Sequence, residues 1–164
     1  MEKYYNFAQI EKDMQALWRD RQIYKFDPNR AGPVYSIDTP PPTVSGSLHI
    51  GHLFSFTQAE IIARFRRMQG ENVFYPFGFD DNGLPTERLV EREEGTRAAA
   101  LPRSAFIEKC RATAEKYEAQ FRAFWESLGF SVDWDLQYNT VSPEVQKLSQ
   151  SLFLELVRDG RAYM

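Results

Sequence analysis

A chain of 164 residues, 43% hydrophobic, 15% aromatic and 26% charged, can bury one domain core and is too apolar to be a disordered polymer. A net charge of −3 excludes capture of a polyanion by bulk charge, so most phosphate contacts of any RNA partner are expected outside this sequence. The single cysteine, Cys110, excludes an internal disulfide or a cysteine-based zinc site and reads as a small buried hydrophobe.

Met1 to Phe7 carries charge and no signal-peptide core, and no run approaches the ~20 apolar residues of a membrane span. A cytoplasmic chain with no membrane partner is expected. Phe7, Ile10, Met14, Leu17 and Trp18 recur at helical spacing and predict a helix ending near Arg21. A linker follows to Pro33, so residues 1–33 read as an N-terminal helix and linker. Val34 to Asp38 is a short strand, and Pro40 to Pro42 hold the next stretch extended. A long helix spans about Leu48 to Gln69, with Phe54, Ile61, Ile62, Phe65 and Met68 expected on its buried side and Gly70 as a left-handed cap. Arg64, Arg66 and Arg67 on this helix read as a solvated face or as holders of a backbone phosphate. Asn72 to Pro76 is a second strand, which makes Val34 to Pro76 a βαβ unit with parallel pairing.

Beyond it, a charged helix runs to about Glu94. Ser104 opens a helix striped by Cys110, Ala114, Tyr117, Phe121, Phe124, Trp125 and Leu128 and closed by Gly129. Ser142-Pro143-Glu144 starts a last helix that ends at Gly160, and Arg161 to Met164 resembles the start of another strand. The fold class is α/β, a parallel sheet flanked by helices, and a doubly wound sheet needs more strands than the two or three counted here, so the chain reads as a piece of something larger.

The chemistry concentrates in Thr39 to Leu53, at the carboxyl end of a strand and the start of a helix, where α/β sheets bind ligands. That helix start offers N–H groups and a positive dipole end to phosphate. Gly46 permits a turn closed to other residues, and Gly51 leaves space for a base or ribose. His49 and His52 are i and i+3, on one face of the first turn, and could donate to phosphate oxygens as charge builds at phosphorus. Neither a Gly-x-x-x-x-Gly-Lys P-loop nor a Gly-x-Gly-x-x-Gly follows the strand. Two such histidines could also bind a metal together with Asp80 and Asp81, or be ordinary helix residues.

His49-Ile50-Gly51-His52 resembles the first signature of class I aminoacyl-tRNA synthetases, and the longer Pro40-Pro41-Pro42-Thr43-Val44-Ser45-Gly46-Ser47-Leu48 before it resembles their valine-specific members. Gly78-Phe79-Asp80-Asp81-Asn82-Gly83-Leu84-Pro85-Thr86-Glu87 is similar to the string after the second strand in one branch of these enzymes, and Arg67 to Val73 fits as well. The likeness runs from the first helix through Arg161-Ala162-Tyr163.

The resemblance implies a partial Rossmann-like (HUP-type) parallel sheet flanked by helices, of which only the N-terminal half is expected here, with residues 34–164 the first half of the Rossmann catalytic domain, ending where an editing insertion would begin. It implies a valine–tRNA ligase, which activates valine with ATP to valyl-adenylate and transfers it to tRNA(Val). His49 and His52 become the catalytic residues on the ATP phosphates, Gly51 packs near the adenosine, and Thr43 lies close to the phosphates. Asp80 receives the α-ammonium of the amino acid. Pro40, where isoleucine-type relatives tend to carry glycine, narrows the side-chain pocket. Thr43 departs from the asparagine of many members. Magnesium is expected with ATP, without an assigned ligand, and no resident metal is expected. The Lys-Met-Ser-Lys-Ser signature has no counterpart here, so the isolated chain is expected to be an incomplete enzyme, and tRNA contacts are expected mostly outside it. The alternatives are an isoleucine- or leucine-type synthetase, a non-catalytic synthetase-like binding module, and a metal hydrolase using His49, His52 and Asp80.

Overall fold

The computed structural model describes residues 4–162. In chain order its elements are α1 (Phe7–Asp20), β1 (Val34–Ser36), α2 (Ile50–Met68), β2 (Asn72–Phe74), β3 (Phe77–Phe79), α3 (Leu84–Glu94), α4 (Arg103–Ser127), β4 (Gln137–Asn139) and α5 (Pro143–Arg158). Single 3-10 turns cover Ala98–Ala100 and Trp134–Leu136. Among the described residues no helix is long and apolar enough to cross a membrane. The strand expected at Arg161 to Met164 falls partly outside the described residues; Arg161 and Ala162 are in no strand.

The chain divides into two compact units. The first comprises residues 4–39, 48–77 and 119–137 and contains the βαβ unit. β1 and β2 pair in parallel, with Val34 opposite Asn72 and Ser36 opposite Phe74, as the crossover through α2 requires. Both strands are shorter than their sequence suggests. The Ile37 N–H still reaches the Phe74 carbonyl at 2.9 Å. The prolines at 40–42 and 76 then supply no N–H with which to extend a ladder. The core of this unit is aromatic: the Trp125 ring lies 5.1 Å from Phe56 and 4.8 Å from Phe130, and Phe56 lies 5.3 Å from Phe77, all tilted. α1, capped by the Asn6 side chain on the Gln9 N–H, has no fully buried residue; its Gln15 amide donates to the Ser127 carbonyl at 2.9 Å.

α2 buries the opposite face from the one its apolar stripe suggests. Phe54, Phe65 and Met68 are 67%, 54% and 82% exposed, and Ile61 and Ile62 are exposed too, whereas Phe56, Glu60 and Ala63 are buried. The reason is a polar network. Glu60 accepts the Ser131 N–H at 2.9 Å and the Arg64 Nε at 2.6 Å. Arg64 also donates to the Gly129 carbonyl, and Arg67 to both the Ser131 hydroxyl and, at 2.8 Å, its carbonyl. Arg66 pairs with Glu71 at 3.1 Å and covers the Tyr35 ring at 4.3 Å. The three arginines are thus neither a solvated face nor a free phosphate clamp. They fasten α2 to the rest of this unit.

The second unit comprises residues 40–47, 78–118 and 138–162. Its buried apolar residues include Val44, Phe79, Leu89, Val90, Phe106 and Ala114. α3 starts after Gly83 with Pro85 in its first turn and ends at Gly95 in the left-handed conformation. Within α3 the Thr86 hydroxyl donates to the Val44 carbonyl at 2.8 Å. β3 pairs with β4, a ladder the sequence does not announce because Phe-Gly-Phe and Gln-Tyr-Asn are too short to show alternation. α5 starts as expected, with the Ser142 hydroxyl accepting the Val145 N–H at 3.3 Å and Pro143 first in the helix.

Candidate active site

The start of α2 carries the two histidines. His49 is its N-cap residue, in extended conformation. Its Nδ1 accepts the Gly51 N–H at 3.1 Å, while its own N–H donates to Nδ1 of His52 at 3.3 Å. This is a capping box in which imidazoles replace the usual hydroxyl and carboxylate. The two rings stack with centroids 3.9 Å apart, tilted by 33°. Because each Nδ1 is an acceptor, each neutral ring carries its proton on Nε2. His52 titrates below the ordinary range, first because burial disfavours its charge and second because His49 lies beside it. Two Nε2–H donors at a helix start suit phosphoryl oxygens. They offer no lone pair to a metal, and among the described residues no three His, Cys, Asp or Glu side chains are grouped to hold one.

The cap also alters the expected phosphate seat. The N–H groups of Gly51 and His52 already bond within the turn, to His49 Nδ1 and to the His49 carbonyl at 3.0 Å. The available donors are therefore chiefly the rings. Gly51 is needed for the cap itself, since a Cβ there would meet Cε1 and Nδ1 of His49 at 3.0 Å. Gly46, at φ +133°, has the conformation expected of its turn.

The second unit holds Asp80 and its surroundings. Thr43 and Asp80 form a parallel bridge: the Asp80 N–H donates to the Pro42 carbonyl at 3.0 Å and the Val44 N–H to the Asp80 carbonyl at 2.8 Å. The carboxylate accepts the Thr43 hydroxyl on Oδ2 at 3.3 Å, and on Oδ1 the Asn82 N–H and the Thr140 hydroxyl, each at 3.2 Å. Pro42 is buried and Pro40 exposed. Sequence reasoning places Thr43 beside phosphates; the structure aims its hydroxyl at Asp80.

Two further groups escaped the sequence. Thr140 is 60 residues from Asp80 and belongs to no motif. Asp81 and Glu118 form a carboxyl pair, with the Asn139 amide donating to Asp81 at 3.0 Å. Burial pushes Glu118 up to about 6 and raises Asp81 as well, so the pair holds a proton at mildly acid pH. Glu118 reads in sequence as one more charge on a mixed helix.

A βαβ unit with an imidazole-capped crossover helix is an α/β arrangement of the class I synthetase type. Residues 13–164 match the family described as tRNA synthetases class I (I, L, M and V), and the chain belongs to that family. It is 51% identical over 162 residues to a valine–tRNA ligase of Rickettsia felis and 52% identical to that of Rickettsia conorii. These matches cover 98% of this chain, which spans about a fifth of the length of the curated relatives: 19% and 20%. A crystal structure of the ternary complex of Agrobacterium radiobacter K84 agnB2 LeuRS with tRNA and LeuAMS is similar in fold, with a TM-score of 0.80 at 27% identity. That match covers 96% of this chain and 18% of the other.

Proposed function

We propose that this chain forms the ATP- and valine-recognising part of a valine–tRNA ligase. A valine carboxylate oxygen attacks the α-phosphorus of ATP, an acyl–phosphate bond forms, and the α–β anhydride breaks to release pyrophosphate. A ribose hydroxyl of tRNA(Val) then takes the acyl group and AMP leaves. Magnesium enters with the triphosphate, and no residue of the chain is assigned to it.

His49 and His52 donate from Nε2 to the phosphate oxygens, which gain negative charge in the transition state. Gly51 belongs to the nucleotide side, Thr43 lies beside the phosphates while its hydroxyl bonds Asp80, and residues 34–164 act as the first half of the catalytic domain. Asp80 receives the ammonium of valine, and the Pro40 ring limits the pocket against one further methylene. Such a ligase works in the cytoplasm. The locked capping box, with both inner nitrogens engaged, carries the reading of the nucleotide site; the 51% identity to a valine–tRNA ligase supports the choice of amino acid.

Valine-dependent ATP–pyrophosphate exchange by the full-length protein is the test. His49→Ala and His52→Ala should each lower kcat by roughly 10²–10³, as removal of one such donor does elsewhere. An unchanged rate in either variant removes that residue's role. Exchange that depends on isoleucine or leucine and not on valine would move the protein to another branch. No exchange with any amino acid would leave a binding module.

A further inference from the structure

The Asp80 carboxylate is held by Thr140, a residue remote from it in sequence in the turn that follows β4. Thr140 is itself fixed at two points: its N–H donates to the Phe79 carbonyl at 3.0 Å, and its hydroxyl oxygen accepts the Asp81 N–H at 3.1 Å. That second bond leaves the hydroxyl proton to point at an acceptor, and Asp80 Oδ1 lies 3.2 Å away. A carboxylate has about four acceptor positions. On Oδ1 both are filled, by the Asn82 N–H and the Thr140 hydroxyl; on Oδ2 the Thr43 hydroxyl fills one. One position remains, on Oδ2.

We propose that Thr140 is a positioning residue for the amino-acid site: it ties down Oδ1 of Asp80 so that the open acceptor of Oδ2 receives the substrate ammonium. The proposal rests on the role given to Asp80 above. A carboxylate free to rotate about its terminal bond would have to be ordered by each incoming substrate, which weakens binding. Thr140 touches no reacting atom and acts only through Asp80.

The experiment compares Thr140→Val, Thr140→Ser and Asp80→Asn in valine-dependent pyrophosphate exchange by the full-length protein. Thr140→Val should raise the valine KM roughly ten- to hundredfold, the range of one hydrogen bond to a charged group, and leave the ATP KM within twofold. Thr140→Ser, which keeps the hydroxyl, should restore the valine KM to within about threefold. Inhibition by isovalerate, which is valine without its amine, should be the same in all three and in the wild type, because nothing in it reaches for Asp80. A purely structural loss would reduce the active fraction, lowering kcat with both KM values unchanged.

A raised valine KM with Asp80→Asn but an unchanged one with Thr140→Val overturns the proposal and keeps Asp80 in its role. An unchanged valine KM with Asp80→Asn overturns both. If Thr140→Val does not fold, Thr140→Ala read against isovalerate replaces it: equal weakening of valine and isovalerate overturns the proposal, and weakening of valine alone supports it.

Discussion

Gly78 has no room for a side chain: a Cβ would fall inside the van der Waals envelope of the Tyr138 ring. Gly78→Ala should therefore destabilise the chain by about 1–3 kcal/mol in urea unfolding, since a ring wedged in a ladder cannot yield as a flexible tip would. The histidines make a different case. His52 sits below the normal imidazole range, so the unfolded chain binds its proton at a higher pH than the folded one does. Its contribution to stability is complete above about pH 6.5 and is lost as pH falls through the folded value. Protonation also removes the acceptor that caps the His49 N–H. His52→Gln, which cannot protonate, should flatten the acid limb of the stability–pH curve below about pH 6.5, measured by urea unfolding at a series of pH values. These histidines were legible because they are three residues apart and meet within one helical turn. Thr140 was not, because the fold alone brings a lone hydroxyl to Asp80.

At the scale of elements, helix ends were legible, and so was the covered face of α4, where Ala114, Phe121 and Trp125 are buried; the covered face of α2 was not. Ser142-Pro143, Gly70, Gly129 and Gly160 mark boundaries through local bonds and backbone angles, which neighbours in sequence determine. The covered face of α2 depends on partners elsewhere. Two stripes of equal period compete there, and the one holding Glu60 wins through Ser131, Arg64 and Arg67. Glu60→Ala should cost about 3–5 kcal/mol in urea unfolding, because it strips a buried N–H and two guanidinium groups of their acceptor or counter-charge. α4 supplies a second case. Glu118 is 8% exposed and raised to about 6, so the folded chain binds its proton more tightly than the unfolded one. The stability tied to that proton is full below about pH 4.5 and declines as pH rises through about 6. Glu118→Gln, with an amide in place of the protonated acid, should be more stable than the wild type at pH 8 by about 1–2 kcal/mol and equal to it at pH 4.

Over the whole molecule, the most extensive uncovered apolar stripes among the described residues lie on α2 and α5. On α2 the stripe is Phe54, Ile61, Phe65 and Met68; on α5 it is Leu148, Leu152, Phe153 and Leu156. The α/β class was legible from strand, glycine turn, helix and strand, since the crossover demands parallel pairing. The extent of uncovered surface was not, because periodicity reports that a stripe exists and never what lies against it. Patches of this kind promote association, so the 164-residue chain should bind an apolar dye such as ANS and self-associate at micromolar concentration, and Phe65→Glu should reduce both.

The same exposure shapes the response to heat. Unfolding raises heat capacity chiefly by hydrating apolar groups, and those on α2 and α5 are already wet in the native state. A chain of this length would ordinarily show an increment of about 2.0–2.5 kcal/mol/K, and calorimetry should return less. Its stability curve is correspondingly shallow, with weak dependence on temperature around its maximum.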